Sequence, residues 1–120
     1  MEKKLIIKNT NELDFIRPND KAAAGSMLAK AIGDKEGWDD YVMRIVRIES
    51  NGTSFNHNHS WPHINYYIKG EGVLQMEGVD YRVSSGDCSY VPGGHMHQWR
   101  NETNEIFEFI CIVPKEGHNI

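Results

Sequence analysis

Cysteine is scarce in this chain: Cys88 and Cys111 are the two among 120 residues, and they form neither a CXXC nor any other close pair. That fits free thiols in a reducing cytosol rather than a disulfide framework. Basic residues are in deficit, with 13 Lys and Arg against 17 Asp and Glu and a net charge of -4. Such a balance leaves no electrostatic footprint for nucleic acid or an anionic membrane. No apolar run approaches the roughly 20 residues that span a bilayer. The opening MEKKLIIKNTNE lacks a signal-peptide hydrophobic region. Internal repeats and low-complexity segments are missing too. The expectation is a cytoplasmic single domain over residues 1–120, long enough to bury a core without covalent staples.

What is abundant is short, β-prone segments between turn signals. Residues 3–8 read as a short strand, and residues 1–40 as that strand and a lead-in. Residues 22–32 are ambiguous, because the alanines favour helix while Ser26 to Ile32 is short enough for a strand. Gly33 to Asp40 reads as a loop, and Asn51-Gly52 is a hairpin-type dipeptide. From Tyr41 onward the pattern predicts strands at 41–49, 63–69, 73–77, 80–83, 88–91, 97–100 and 106–113, within a barrel region of 41–115. Short strands with regular turns indicate an all-β sandwich or barrel.

Histidine is concentrated. Five of the six fall in two windows, His57-Asn-His59-Ser-Trp-Pro-His63 and Pro92-Gly-Gly-His95-Met-His97. Neutral imidazole is the commonest protein metal ligand. Side chains two apart on an extended segment share a face, so His57 and His59 can meet one ion. Pro62 bends the chain, and His63 returns from the next strand. His97 arrives from a later strand, past the Pro92-Gly93-Gly94 turn. Ligands from neighbouring strands can form a facial set with open positions. His95 lies in the turn and suits a supporting role as well as a ligating one. His118, near the end, is expected to be exposed.

These residues resemble both signatures of the cupin superfamily. The first is approached by Gly52, His57, His59 and Gly70, and the second is matched in full by Gly86, Pro92, Gly94, His97 and Asn101. Tyr41 to Arg44 and Glu108 to Gly117 look like the small tetra-histidine cupins, including manganese-binding ones. The resemblance covers about two-thirds of the chain. It implies a double-stranded β-helix, the jelly-roll cupin barrel, with a divalent metal, Mn or Fe first and Zn, Ni or Cu as alternatives, on His57, His59, His63 and His97. It implies a homodimer in which Lys4 to Lys8 adds to a partner sheet. The acidic position of the first signature holds no carboxylate, since His63 stands there on the shorter spacing and Ile64 on the longer. Four neutral ligands leave the ion's charge uncompensated, which favours a bound anion.

The last strand alternates Phe107, Phe109, Cys111 and Val113 with Ile106, Glu108, Ile110 and Ile112. Glu108 marks the second set as the outer or dimer face. Phe107, Phe109 and Cys111 then line the interior, where ordinary core packing explains them equally well. Cys111 is a candidate catalytic residue or ligand, against the plain reading of a small buried hydrophobe. Arg44 shares a face with Val42, Val46 and Ile48. It needs a partner, either a structural ion pair or a substrate carboxylate. Tyr67 and Asn65 share a face with His63. Trp99 shares one with His97 and could wall the site. Trp61 sits in the bend beside Pro62 and could shield the metal or pack at an interface. Three functions follow: a metal-dependent oxygenase of a small organic substrate; a non-redox metal lyase, decarboxylase or isomerase; or a non-catalytic binding module.

Overall fold

The computed structural model describes residues 4–118. Eight strands are joined by turns and four short 3-10 segments: β1 (Ser26–Ile32), β2 (Tyr41–Ile48), β3 (His63–Lys69), β4 (Glu71–Met76), β5 (Val79–Ser84), β6 (Cys88–Val91), β7 (His97–Arg100) and β8 (Phe107–Pro114). They form a five-stranded sheet ordered β1-β2-β8-β3-β6 and a three-stranded sheet ordered β5-β4-β7. The fold is therefore all-β. No helix among the described residues is long and apolar enough to cross a membrane.

Alternation dictates the core. Phe107, Phe109, Cys111 and Val113 of β8 are all buried, alongside Val42 and Ile48 of β2, Tyr67 of β3, and Leu74 and Trp99 of the smaller sheet. Register then aligns polar residues across the inner face of the large sheet. Arg44 faces Cys111, Cys111 faces Asn65, and Asn65 faces Ser89. This polar row crosses an otherwise apolar wall.

Several expectations change. The ambiguous segment 22–32 resolves to strand β1 over Ser26–Ile32, which pairs antiparallel with β2 from Ser26 opposite Ile48 onward. Pairing with an available strand edge overrides the helical preference of the alanines. Residues 4–9 form no strand, and Lys3 lies outside the described residues. Instead Lys8 Nζ donates to the Ala31 carbonyl and pairs with Glu36. Asn51-Gly52 makes a turn, with Asn51 at φ 63°, but no hairpin follows. The chain crosses to the other sheet, where Thr53 bridges Arg100 and His57 bridges His97. Glu108 lies on the outer face yet is buried, because it pairs with Arg47 of the adjacent strand. Cys88 and Cys111 are both free.

Two motif residues explain themselves. Gly70 holds φ 77°, and a Cβ there would lie 2.3 Å from the Ile106 carbonyl oxygen, so only glycine lets β3 turn tightly into β4. Asn101, buried at the end of β7, donates to the carbonyls of Ile48 and Glu105 and accepts from Thr103 N–H and Oγ–H. It ties the end of β2 to the turn before β8.

Candidate metal centre

The crossover after β2 delivers the first two histidines. Residues 53–59 run beside β7, and His57 and His97 exchange backbone bonds of 3.1 and 3.0 Å. Gly93 lets the facing loop close in, since a Cβ there would strike the Ser60 carbonyl oxygen at 2.1 Å. His63 opens β3 and His97 opens β7. One ring nitrogen from each of His57, His59, His63 and His97 lies within 4.8 Å of the others. The expected four residues are thus brought together from one crossover segment and two strands.

Tautomers orient the set. The Nδ1–H of His59 donates to the Trp61 carbonyl at 2.8 Å, and that of His97 to the His95 carbonyl at 2.9 Å. Each Nε2 is left as a bare lone pair aimed inward. His97 Nε2 is buried and has no hydrogen-bond partner, and the two Nε2 atoms of His59 and His63 stand 2.9 Å apart. An orphaned buried acceptor amid converging imidazoles is what a divalent cation satisfies, so these residues fit a metal ion. His63 Nδ1 rests 2.8 Å from Cys111 Sγ, the one acceptor of the three that is not a backbone carbonyl.

Burial keeps the rings neutral. It pushes His63 down to about 2, helped by the Arg44 charge, and His57 down to about 4, helped by His97 and His59. His59 and His97 are lowered by the same desolvation. His57 is exposed as a whole residue at the cavity mouth, so solvent screens part of its shift.

The cluster opens into a cavity of about 580 Å³. Arg44, Trp99, Phe109 and Cys111 line it as expected. Tyr67 and Phe107 do not. They stack on each other in the core at 5.7 Å, and the Tyr67 hydroxyl is held by Ser89 and Trp99. Parity placed them on the inner face, but they lie deeper along it, beyond Trp99. Asn65 likewise turns to Ser89. Trp61 stacks on His59 at 4.6 Å and walls the site. The His95 ring points away toward Glu77, its carbonyl alone serving the site. His118 is half-buried rather than exposed, next to the cavity-lining Gly117.

The rest of the cavity wall was not foreseen. Ile16, Pro18, Met27 and Leu28 come from the lead-in and β1, and Phe55 and Asn58 from the crossover. The lead-in folds over the mouth through the Ile16 to Leu28 bridge. No local sequence signal announces such a long-range return.

Comparison with known proteins agrees with this geometry. Residues 44–113 match the family model Cupin_2, a cupin domain. A 50-residue stretch is 32% identical to an oxalate-binding protein of Thermotoga maritima, covering 42% of this chain and 41% of that protein, well under two-thirds of the relative's length. The fold matches the polyketide cyclase RemF of Streptomyces resistomycificus with TM-score 0.82, at 22% identity over 95% of this chain and 80% of that one. It also matches a predicted oxalate decarboxylase of Thermotoga maritima with TM-score 0.79, at 20% identity over 91% of this chain and 98% of that one. Likeness at such identities is likeness of fold.

Proposed function

Because this chain belongs to the Cupin_2 family of cupin domains, we propose that its four histidines serve a metal-dependent oxygenase acting on a small organic substrate. One observation carries the reading: four neutral imidazoles converge beside a mostly apolar cavity that no Asp or Glu among the described residues lines. Acid–base isomerisation needs a positioned proton acceptor, and the wall offers none beyond the ligands themselves. His57, His59, His63 and His97 would hold Mn or Fe. When bound, such an ion supplies Lewis-acid orientation and single-electron chemistry. The protein's part is to position and to keep dry. Trp61, Trp99 and Phe109 exclude water, Cys111 orients the His63 ring, and Arg44 draws anionic groups inward.

The alternative, a non-redox lyase or a binding module, draws support from the stretch similar to an oxalate-binding protein. Elemental analysis of untagged protein purified without chelators separates the two. About one equivalent of Mn or Fe, with oxygen consumption on an added substrate, is expected. Zn or Ni and no oxygen uptake would favour the alternative. No stoichiometric metal after reconstitution would sink both catalytic readings.

The working unit is a homodimer. On the outer face of the large sheet, Ile64, Tyr66 and Tyr90 are exposed next to Ile110 and Ile112. A contiguous apolar patch of this kind marks an interaction surface, and a second copy covers it by twofold symmetry. Light scattering at micromolar concentration should give twice the chain mass, and Tyr90→Lys with Ile64→Lys should halve it. A wild-type monomer would refute this.

A further inference from the structure

The cavity wall carries one cation beside the histidine cluster: Arg44, nine-tenths buried at 9% exposure and linked to His63 through Cys111. Its guanidinium has no carboxylate partner among the described residues. Nη2 donates to Cys111 Sγ at 3.1 Å, Nη1 makes a long 3.5 Å contact with the Gly117 carbonyl, and Nε is buried without a partner among the described residues. The structural ion pair expected of a buried arginine is absent there. Of the four other arginines, Arg17, Arg47 and Arg100 pair with Asp or Glu, and Arg82, without an ion pair among the described residues, is exposed to solvent. An uncompensated buried cation is costly, and a loaded metal site adds two further positive charges to a wall without acidic residues. The remaining cavity surface is mostly hydrocarbon, with Leu28, Val46, Phe55, Trp61, Trp99 and Phe109 on it.

We infer that the ligand is an amphipathic monoanion, an aromatic or branched carboxylate whose head sits between Arg44 and the histidine cluster and whose apolar body fills the cavity. The inference rests on the metal-centre reading for one of its two head contacts, and on Arg44 and the cavity for the rest. Guanidinium binds a carboxylate through paired N–H donors, which a neutral hydroxyl cannot reproduce. A volume of about 580 Å³ lies in the range that accepts drug-sized molecules. Oxalate is a few heavy atoms with no apolar surface. It would satisfy the charge but leave the hydrocarbon wall uncovered. This chain's ligand therefore differs from what the name of its Thermotoga relative specifies, although the four-histidine end is compatible with either.

Calorimetric titration of the protein with three probes tests this: 2-naphthoate, oxalate, and 2-naphthalenemethanol, which keeps the body and loses the charge. Redox-inert Zn is loaded first and its stoichiometry measured separately. Naphthoate should bind about tenfold or more tighter than each of the others, the gain expected of charge-assisted hydrogen bonds and buried apolar area. Arg44→Gln should narrow the gap between naphthoate and the alcohol while leaving Zn stoichiometry unchanged. Val46→Trp, which fills the cavity, should weaken naphthoate and spare oxalate. Oxalate binding as tightly as naphthoate, or the alcohol matching naphthoate, overturns the inference on the wild-type protein alone, whether or not either variant folds. If Zn fails to bind, the metal-centre reading falls. The metal-free protein must then still prefer naphthoate to the alcohol, or the inference falls as well.

Discussion

His63→Ala is expected to weaken metal binding by about a hundredfold or more, as much as His59→Ala does. Binding at a four-ligand site is on the order of 10–16 kcal/mol, so each ligand accounts for about 3 kcal/mol, and 1.4 kcal/mol is tenfold. The two residues reach the site by different routes, one from the bend and one from strand β3, yet their Nε2 atoms stand side by side. Competition with a chromophoric chelator measures the affinities. Unchanged affinity in His63→Ala would reduce the site to three histidines and leave His63 as a buried partner of Cys111. A folding artefact is separated by His63→Glu, which returns a carboxylate to the acidic position of the signature. That variant should retain the ion, while lowering the site's net charge by one.

The metal-free protein should lose stability steadily as pH falls below about 6.5, even while the ring cluster stays neutral. The sign follows from burial. The folded-state values of His63 and His57 lie at about 2 and about 4, below the ordinary 6.5. Below 6.5 the unfolded chain takes up protons that the folded chain refuses, so the unfolded state is favoured. Above 6.5 the contribution to stability is present in full. Each ring that stays neutral adds a slope of about 1.4 kcal/mol per pH unit. His57 acts down to about pH 4 and is partly screened at the mouth, whereas His63, buried against Cys111, acts across the whole window down to about 2. Urea denaturation of metal-free protein between pH 7.5 and 5 measures this directly. A flat profile would mean that the rings titrate as they do in water. Replacing His63 by Asn should lessen the slope by up to about 1.4 kcal/mol per pH unit, because Asn has no proton to gain, while His57 keeps its share.

The same physics divides what could be read from the chain from what could not. The four-histidine cluster was legible because metal chemistry restricts residue type, and because strand geometry converts a spacing of two into a shared face. His57 and His59 follow from that rule, and His97 from the turn that precedes its strand. Burial of Phe107, Phe109, Cys111 and Val113 was legible from alternation along β8. Alternation says which face a side chain takes, however, and not how far along that face the cavity reaches. Tyr67 and Phe107 share the inner face with Phe109 and still lie in solid core.

Arg44 shows the limit most clearly. Its inward direction follows from its neighbours Val42 and Val46, but its lack of a carboxylate partner among the described residues depends on what the facing strand presents. Register sets Cys111 opposite it, and the acidic residue of that strand, Glu108, falls on the other face with Arg47. A slip of one residue would have turned Glu108 to the inner face and Cys111 to the outer one. Strands β2 to β8, the grouping of four histidines and the inward faces could be read from the chain, because these depend on residue type and short spacing. Tertiary structure alone decided that β1 is a strand, that the lead-in closes the cavity, and that a buried cation waits beside the histidines, because each depends on contacts between segments distant along the chain.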